Sequence, residues 1–513
     1  MPKTPSTKLF ELIQSLSSSE KRYFKVFATK TSTSNSNKYL VLFDAIDRQV
    51  EYKEESLKVL IYNKKEIESR KFSELKHYLY ELILKSLQAY DEKTSIDYKL
   101  KSMLNNIRVL FKRSLYSHCV DILQKIKKIA YQYDKFLIIL EVLFWEKRLA
   151  YTESNISFLN ENLGRINTEE QDLLKKITQE RHYWTIFFQL LISLKKDGIA
   201  RSSEKTTELT SIMNSDWLLE KNYPDFHQAQ LLYHRIYSIY YSSIREYEQY
   251  YATNNQLIEL MEEQPKRLKE DVSTYISVIT NQIFSSGMLR KYDKVEQNLE
   301  KLHSLKPITI DDKYKIFLHY YLNKMVLCSE NGNFELGVQL IEQREKERQQ
   351  FKKALFNINY SFIYSYLFFG AGRYEDALHW LNQLLNYSGK IQRQDLQSVA
   401  RIVQIIIHYE LNNSILLEHL LRSTYRYMRR RNRLYQFELR ILKFIKRSSN
   451  IITKKALREE FIKLRDDFLE LSKDPKESPM LRYFDFISWL ESKIEEKTFP
   501  EVIKEKYLIK EIN

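Results

Sequence analysis

The residue types best suited to chemistry cluster between Arg422 and Arg447, where positive charge is concentrated. Ten of these residues are Arg or Lys and one, Glu438, is acidic, so ten minus one leaves +9 of the formal net charge of +15. Eight of the ten are arginines, whose planar fork pairs with a carboxylate or phosphate through two hydrogen bonds. The segment is therefore a candidate binding surface for an acidic partner, a phosphate-rich ligand or RNA.

These arginines would form one stripe if the segment were a continuous helix, because residues seven apart return to the same helix face. The candidate stripe consists of Arg422, Arg426, Arg429, Arg433, Arg440 and Arg447. Two other interpretations stay open: a merely solvated helix face, or internal neutralisation by acids of the following helix. Those acids are Glu459, Glu460, Asp466 and Asp467.

Sequence patterns typical of catalytic and cofactor sites do not occur in this chain. Its eight glycines are dispersed, whereas a phosphate-binding loop needs several glycines to bring backbone donors onto an anion. Cys119 and Cys328 lie far apart, and there is no His-Glu-x-x-His helix to bind zinc. His227 and His234 share a helix face and are interpreted as packing or surface residues. We therefore predict a protein that is not an enzyme and has no cofactor and no metal site.

Composition favours an all-α protein in a reducing compartment. Gly and Pro number 8 each, which disfavours turn-rich β architectures. Both cysteines lie in apolar helical patterns, so buried thiols are predicted and a disulfide framework is excluded. No apolar run has the length of a signal peptide or a membrane span. We expect a soluble, cytoplasmic protein with no membrane partner.

A stretch at residues 369–385 has the pattern of a helix end, a turn and a second helix. Gly372 can adopt the positive φ that ends a helix. An apolar face follows at three- and four-residue spacing, formed by Tyr374, Ala377, Leu381 and Leu384. The small side chain of Ala377 would let a neighbouring helix approach closely.

The same pattern returns at a nearly constant period in the C-terminal half of the chain. Its first positions are Tyr250, Tyr292, Phe334, Tyr374 and Ser414, with spacings of 42, 42, 40 and 40 residues. Another copy comprises Tyr116, Cys119, Leu123 and Ile126. Between residues 134 and 224 the helical pattern continues, but the turn motif does not fit there.

The motif Gly-x-Tyr-x-x-Ala-x-x-x-Leu-x-x-Leu resembles the turn and second helix of a tetratricopeptide repeat (TPR), whose usual period is about 34 residues. Pro265 and Pro307 each follow their first position by fifteen residues, where that family also places a proline. The longer period implies helices of about 17 residues, and the family's first-helix Trp, Leu and Gly are absent from the Tyr374 copy. The resemblance implies a right-handed α-hairpin solenoid that binds a protein or peptide.

The resemblance also implies a peptide groove. In the TPR family an Asn eleven residues before the turn aromatic often holds the backbone of an extended peptide. That offset falls on Asn105, Asn281 and Asn323, but on Ile239 and Ile363 in other copies. His319 lies one helical turn before Asn323 and would share its surface. The candidate groove is thus Asn281, His319 and Asn323, with ordinary polar helix residues as the alternative.

Tyrosine is unusually abundant, with 37 residues, and two aromatic clusters fall on first helices of repeats. They occupy residues 237–241 and 360–369. Core packing between hairpins and a ligand-binding groove are both compatible with such clusters.

The chain divides into four predicted segments. Residues 1–92 form an N-terminal helical module, 93–225 divergent helical hairpins, 226–449 the regular TPR-like repeats, and 450–513 a C-terminal helical cap. The module is either a cap for the solenoid or a helix-turn-helix-like domain. In the second case its long helix would read nucleic acid through Arg70, Lys71, Lys76 and His77.

From these observations we expect a non-catalytic, cytoplasmic protein-interaction scaffold. The alternative is a regulator whose N-terminal module binds nucleic acid while its repeats sense a protein or peptide.

Overall fold

A computed structural model describes most of the chain. The described residues are 6–31, 37–62, 69–92, 95–197, 203–351, 358–387, 394–430, 435–448, 451, 453–474, 477–478 and 480–512. They form α-helices and three short 3-10 helices, and none of them lies in a strand. The all-α prediction is confirmed for this part of the chain.

The helices are numbered in chain order. Those before residue 226 are α1 (Lys8–Ser15), α2 (Ser18–Thr31), α3 (Asn37–Asp47), α4 (Glu54–Tyr62), α5 (Ser69–Asp91), α6 (Ile96–Phe111), α7 (Tyr116–Gln132), α8 (Phe136–Thr152), α9 (Ile156–Asp197) and α10 (Ser203–Met213). The next are α11 (His227–Ile244), α12 (Tyr247–Glu262), α13 (Pro265–Leu268), α14 (Val272–Met288), α15 (Tyr292–Ser304), α16 (Ile310–Glu330), α17 (Phe334–Arg348), α18 (Ile358–Gly370) and α19 (Tyr374–Leu385). The last are α20 (Gln394–Glu410), α21 (Ser414–Arg430), α22 (Gln436–Ser448), α23 (Lys454–Leu471), α24 (Phe486–Glu495) and α25 (Phe499–Ile512).

The chain forms two compact units. One contains Met1–Gln179 and Pro265–Asp271, and the other contains Glu180–Gln264 and Val272–Asn513. In the first unit, helices α1 to α5 share a core that includes Phe24, Phe43 and Phe72.

Ser17 and Glu20 form a capping box at the start of α2. The Ser17 backbone N–H donates to the Glu20 carboxylate at 2.6 Å, and the Glu20 N–H donates to the Ser17 hydroxyl at 3.3 Å. The two bonds satisfy N–H groups that have no partner inside the helix.

One turn geometry recurs throughout both units. Nine described residues have φ in the left-handed region: Ser114, Asp134, Ser154, Arg245, Arg290, Gly332, Gly372, Asn412 and Glu496. In each case the next residue donates its N–H to the carbonyl five residues earlier, as Arg373 does to Phe368 at 2.8 Å. This is the hydrogen bond of a Schellman motif. After eight of the nine, a new helix begins two residues later.

The recurring turn corrects two predictions. It is present at Asp134 and Ser154, where the sequence motif did not fit. In the first regular copy, Arg245 is the left-handed residue and α12 begins at Tyr247, so Tyr250 was assigned one helical turn too late.

Within the second unit, helices pack against their neighbours in sequence. Helix α16 contacts α15 and α17 as well as α14 and α18, the next helices but one. This arrangement is compatible with a helical repeat.

Helix α18 carries one of the two predicted aromatic clusters and is buried. Tyr360, Tyr364 and Phe369 are at most 4% exposed, and the guanidinium of Arg344 lies 3.6 Å from the ring centroid of Tyr360. A ligand groove at this cluster is therefore wrong, and core packing is confirmed. The other cluster, on α11, is half-buried.

The C-terminal segment, residues 480–512, packs back onto earlier helices. Phe499 lies 5.6 Å from Phe334 between ring centroids, and Tyr507 lies 4.8 Å from Tyr292. The segment thus contacts several preceding helix pairs, whereas the sequence suggested a cap on the last repeat.

None of the described helices combines the length and apolar character needed to cross a membrane.

Candidate functional site

The candidate groove residues lie on two helices that contact each other, α14 and α16. Asn281 is on α14, and His319 and Asn323 are on α16; all three are half-buried. The Asn323 side-chain amide donates to the His319 carbonyl oxygen at 2.7 Å. The Asn323 side chain thus lies against the backbone of its own helix, one turn after His319.

A side-chain hydrogen bond joins the two helices. The Lys315 ammonium on α16 donates to the Ser273 hydroxyl on α14 at 2.7 Å. Lys315 and Ser273 are 42 residues apart, and Asn323 and Asn281 have the same offset. The two asparagines thus occupy equivalent positions, about two helical turns beyond this contact.

His319 is a neutral side chain at physiological pH. Burial, with a smaller effect of Lys315, lowers the pKa of His319 below its ordinary value of 6.5. A neutral imidazole and two amides offer hydrogen-bond donors and acceptors without net charge. Such a surface suits the backbone of a peptide better than it suits an ion.

The arginine stripe is divided between two helices. Helix α21 ends at Arg430, Tyr435 is not helical, and α22 begins at Gln436, so the condition for a single stripe, one continuous helix, is not met. Arg433 lies outside the described residues. Glu477 explains the new helix start, because its carboxylate accepts the N–H groups of Gln436 and Phe437 at 3.1 and 3.0 Å.

The arginines of α22 are neutralised internally. Arg440 forms an ion pair with Asp467, and Arg447 lies 3.5 Å from the Glu460 carboxylate. Lys463, together with Arg447, lowers the pKa of Glu460. The interpretation of internal pairing therefore applies to Arg440 and Arg447.

The arginines of α21 remain exposed to solvent. We call Arg422, Arg426, Arg429 and Arg430 the α21 arginine surface; all four are exposed. Arg422 pairs with Glu418 on its own helix, and the other three have no carboxylate partner in the described part of the chain. Tyr425 lies among them and is 40% exposed.

Two of the basic residues that would read nucleic acid in the N-terminal module form ion pairs with carboxylates. The Lys76 ammonium lies 2.5 Å from the Glu54 carboxylate, and the two side chains are 15% and 14% exposed. Arg70 pairs with Glu74 at 3.0 Å. Burial opposes ionisation of Glu54, but hydrogen bonds from Lys76 and Tyr52 hold the pKa of Glu54 below its ordinary value. Two of the four predicted nucleic-acid contacts are thus paired within the protein.

The reactive side chains outside these surfaces show structural roles. Cys119 and Cys328 are buried free thiols, as predicted, and burial raises the pKa of Cys328 to about 11, which keeps the nucleophilic thiolate scarce. His227 is buried, and His234 lies 3.2 Å from the Tyr223 hydroxyl. Among the described residues no group of three His, Cys, Asp or Glu side chains is placed to hold a metal ion.

Comparison of the chain with protein-family models, with curated proteins and with solved structures finds no match.

Proposed function

We propose that this chain is a non-catalytic, cytoplasmic protein-interaction scaffold built as a right-handed solenoid of TPR-like helical hairpins. The observation that supports it best is the Schellman turn that recurs at nine positions. Repeated hairpins joined by the same turn stack into extended surfaces, and proteins built this way commonly use those surfaces to bind partners.

The proposed binding surface is the α14–α16 face that carries Asn281, His319 and Asn323. Its uncharged hydrogen-bonding groups lie at equivalent positions of successive helix pairs. An extended peptide presents backbone donors and acceptors at regular intervals, so equivalent amides on adjacent helices can bind it along its length.

Affinity capture from the native cytoplasm, followed by mass spectrometry, tests this proposal. Replacing Asn281 and Asn323 together by Ala should reduce recovery of the partner while helicity, measured by circular dichroism, stays unchanged. Asn298→Ala on α15 is the matched control, because Asn298 also donates to the carbonyl four residues earlier, at 2.8 Å. Equal recovery with the double variant and the control would contradict the proposed surface.

The alternative, a regulator with a nucleic-acid-binding N-terminal module, has less support because Lys76 and Arg70 are paired with carboxylates. A gel shift with duplex DNA across a salt series tests it. Strong, steeply salt-dependent binding that is lost in a Lys71→Gln, His77→Gln variant would favour the alternative.

A further inference from the structure

The α21 arginine surface is compact and points away from the core. Arg422 and Arg430 are eight residues apart, a rise of about 12 Å along the helix. The opposite side of α21 is buried through Leu417, Thr424 and Met428. All four arginines therefore reach solvent from a short length of one helix, close enough for one ligand to touch them together.

Carboxylates of a neighbouring helix offset the arginine charge of α22, but in the described part of the chain they do not offset that of the α21 arginine surface. Helix α21 contains four arginines and one acid, Glu418. On α22, by contrast, Asp467 and Glu460 from α23 approach Arg440 and Arg447. Arginines held this close repel one another, and a bound anion would relieve that repulsion.

The chemistry of the surface favours phosphate over carboxylate-bearing protein. The hot spots of protein interfaces also use Tyr and Arg, but they lie in well-packed, desolvated pockets, whereas Tyr425 and the four arginines are exposed on one helix face. The exposed large apolar side chains of α21 are Tyr425, among the arginines, and Ile415 and Leu416, about two turns before Arg422. An exposed aromatic ring among arginines is instead the combination that binds single strands, where bases stack on the ring and phosphates pair with the guanidinium groups.

We propose that the α21 arginine surface binds single-stranded nucleic acid, with Arg422, Arg426, Arg429 and Arg430 on the phosphates and Tyr425 stacked on a base. This activity is separate from the α14–α16 peptide surface. Recognition is independent of sequence, because phosphate contacts and stacking carry little base information.

Fluorescence anisotropy of the full-length protein with a labelled oligouridine of about 20 nucleotides tests the proposal. The test variant is Arg422→Gln, Arg426→Gln, Arg429→Gln. Its matched control is Lys112→Gln, Lys125→Gln, Lys128→Gln, which removes the same charge from exposed positions at and near α7. Thermal unfolding of both variants verifies that they are folded.

We expect the test variant to bind at least about tenfold more weakly near 0.1 M salt, and its salt slope to fall by about 2, since each lost phosphate contact on a single strand contributes about 0.7. Tyr425→Ala should weaken binding about fivefold or more through lost stacking. The control should bind like the parent.

Three results would overturn the proposal. The first is absence of salt-dependent binding by the parent. The second is an equal loss of affinity in the test variant and the control, which would indicate a general charge effect. The third is binding of a poly-glutamate peptide as tight as that of the oligouridine, with Tyr425→Ala affecting neither, which would identify an acidic protein as the partner.

Discussion

The Glu410 carboxylate on α20 accepts a hydrogen bond from the indole N–H of Trp489 on α24 at 2.7 Å. Its other oxygen lies 2.6 Å from the Lys493 ammonium. Glu410 is therefore a polar anchor between the C-terminal segment and α20, in addition to the hydrogen bond that the Asp485 N–H donates to the Tyr366 hydroxyl at 3.2 Å.

Removing this anchor should destabilise the protein. In Glu410→Ala the buried indole N–H of Trp489 and the ammonium of Lys493 lose their acceptor, so the free energy of unfolding should fall by about 2 to 4 kcal/mol. Urea unfolding measures the change. Glu470→Ala is the control, because the Glu470–Lys473 pair is more than 70% exposed and should contribute less than about 1 kcal/mol. Equal unfolding midpoints for the two variants would contradict the anchoring role.

Two glycines with the same backbone conformation should respond differently to substitution. Gly332 and Gly372 both have φ of +73°, but a Cβ on Gly332 would lie 3.0 Å from the Pro500 carbonyl oxygen, while a Cβ on Gly372 meets nothing within 4 Å. Gly372→Ala should therefore cost only the left-handed strain, about 1 to 2 kcal/mol.

Gly332→Ala should cost more than that, because it also displaces α25. Limited proteolysis should cleave the C-terminal segment faster in Gly332→Ala than in Gly372→Ala. Identical stability and cleavage rates in the two variants would show that α25 does not pack on this turn.

Enlarging Ala377 should destabilise the repeat that contains it. Ala377 is 0% exposed, so a leucine there must displace a neighbouring helix, at a cost of about 1 to 3 kcal/mol. Gln383→Leu places the same side chain at an exposed position of α19 and serves as the control. If Ala377→Leu melted at the same temperature as the parent protein, the register assigned to α19 would be wrong.

The lowered pKa of His319 should make stability pH-dependent. The unfolded imidazole takes up a proton near its ordinary pKa of 6.5, and the folded one only at lower pH. Below pH 6.5 the unfolded state then binds more protons, so the free energy of unfolding falls as pH falls.

His319→Gln should reduce this loss between about pH 7 and pH 5, measured by urea unfolding at each pH. The control is His379→Gln, which makes the same replacement at an exposed position. An unchanged slope in His319→Gln would contradict the buried, neutral state of His319.

The sequence predicted individual helices and turns better than it predicted their register. The turn at Gly372 was recognised because glycine adopts positive φ without strain. The turns at Asp134, Ser154 and Arg245 were not, because a left-handed residue with a Cβ gives no signal of its own. Such a turn was located only where the apolar motif after it was matched, as after Arg290. After Arg245, Tyr247 and Tyr250 lie one helical turn apart. Both are tyrosines, so residue type alone does not show which of them is the first position of the repeated motif.

The arginine stripe shows why long-range contacts escape sequence reasoning. Heptad spacing indicated a single stripe only on the condition that residues 422–447 form one helix. The start of α22 depends on Glu477, which lies forty residues beyond Phe437 in the chain and reaches its backbone only in the folded protein. Pairing of Arg440 and Arg447 with α23 was foreseen as one alternative, because the acids of that helix follow closely in sequence.

The most direct test of the scaffold proposal is photo-crosslinking in cells that produce the protein. A benzophenone-bearing amino acid replaces Asn281 in one variant and Asn298 in a control, and crosslinked species are identified by mass spectrometry. We predict a discrete crosslinked protein or peptide at position 281 that is absent at position 298 and is reduced when Asn323 is also replaced by Ala. The same crosslinks at both positions, or none at position 281, would contradict a partner on the α14–α16 face.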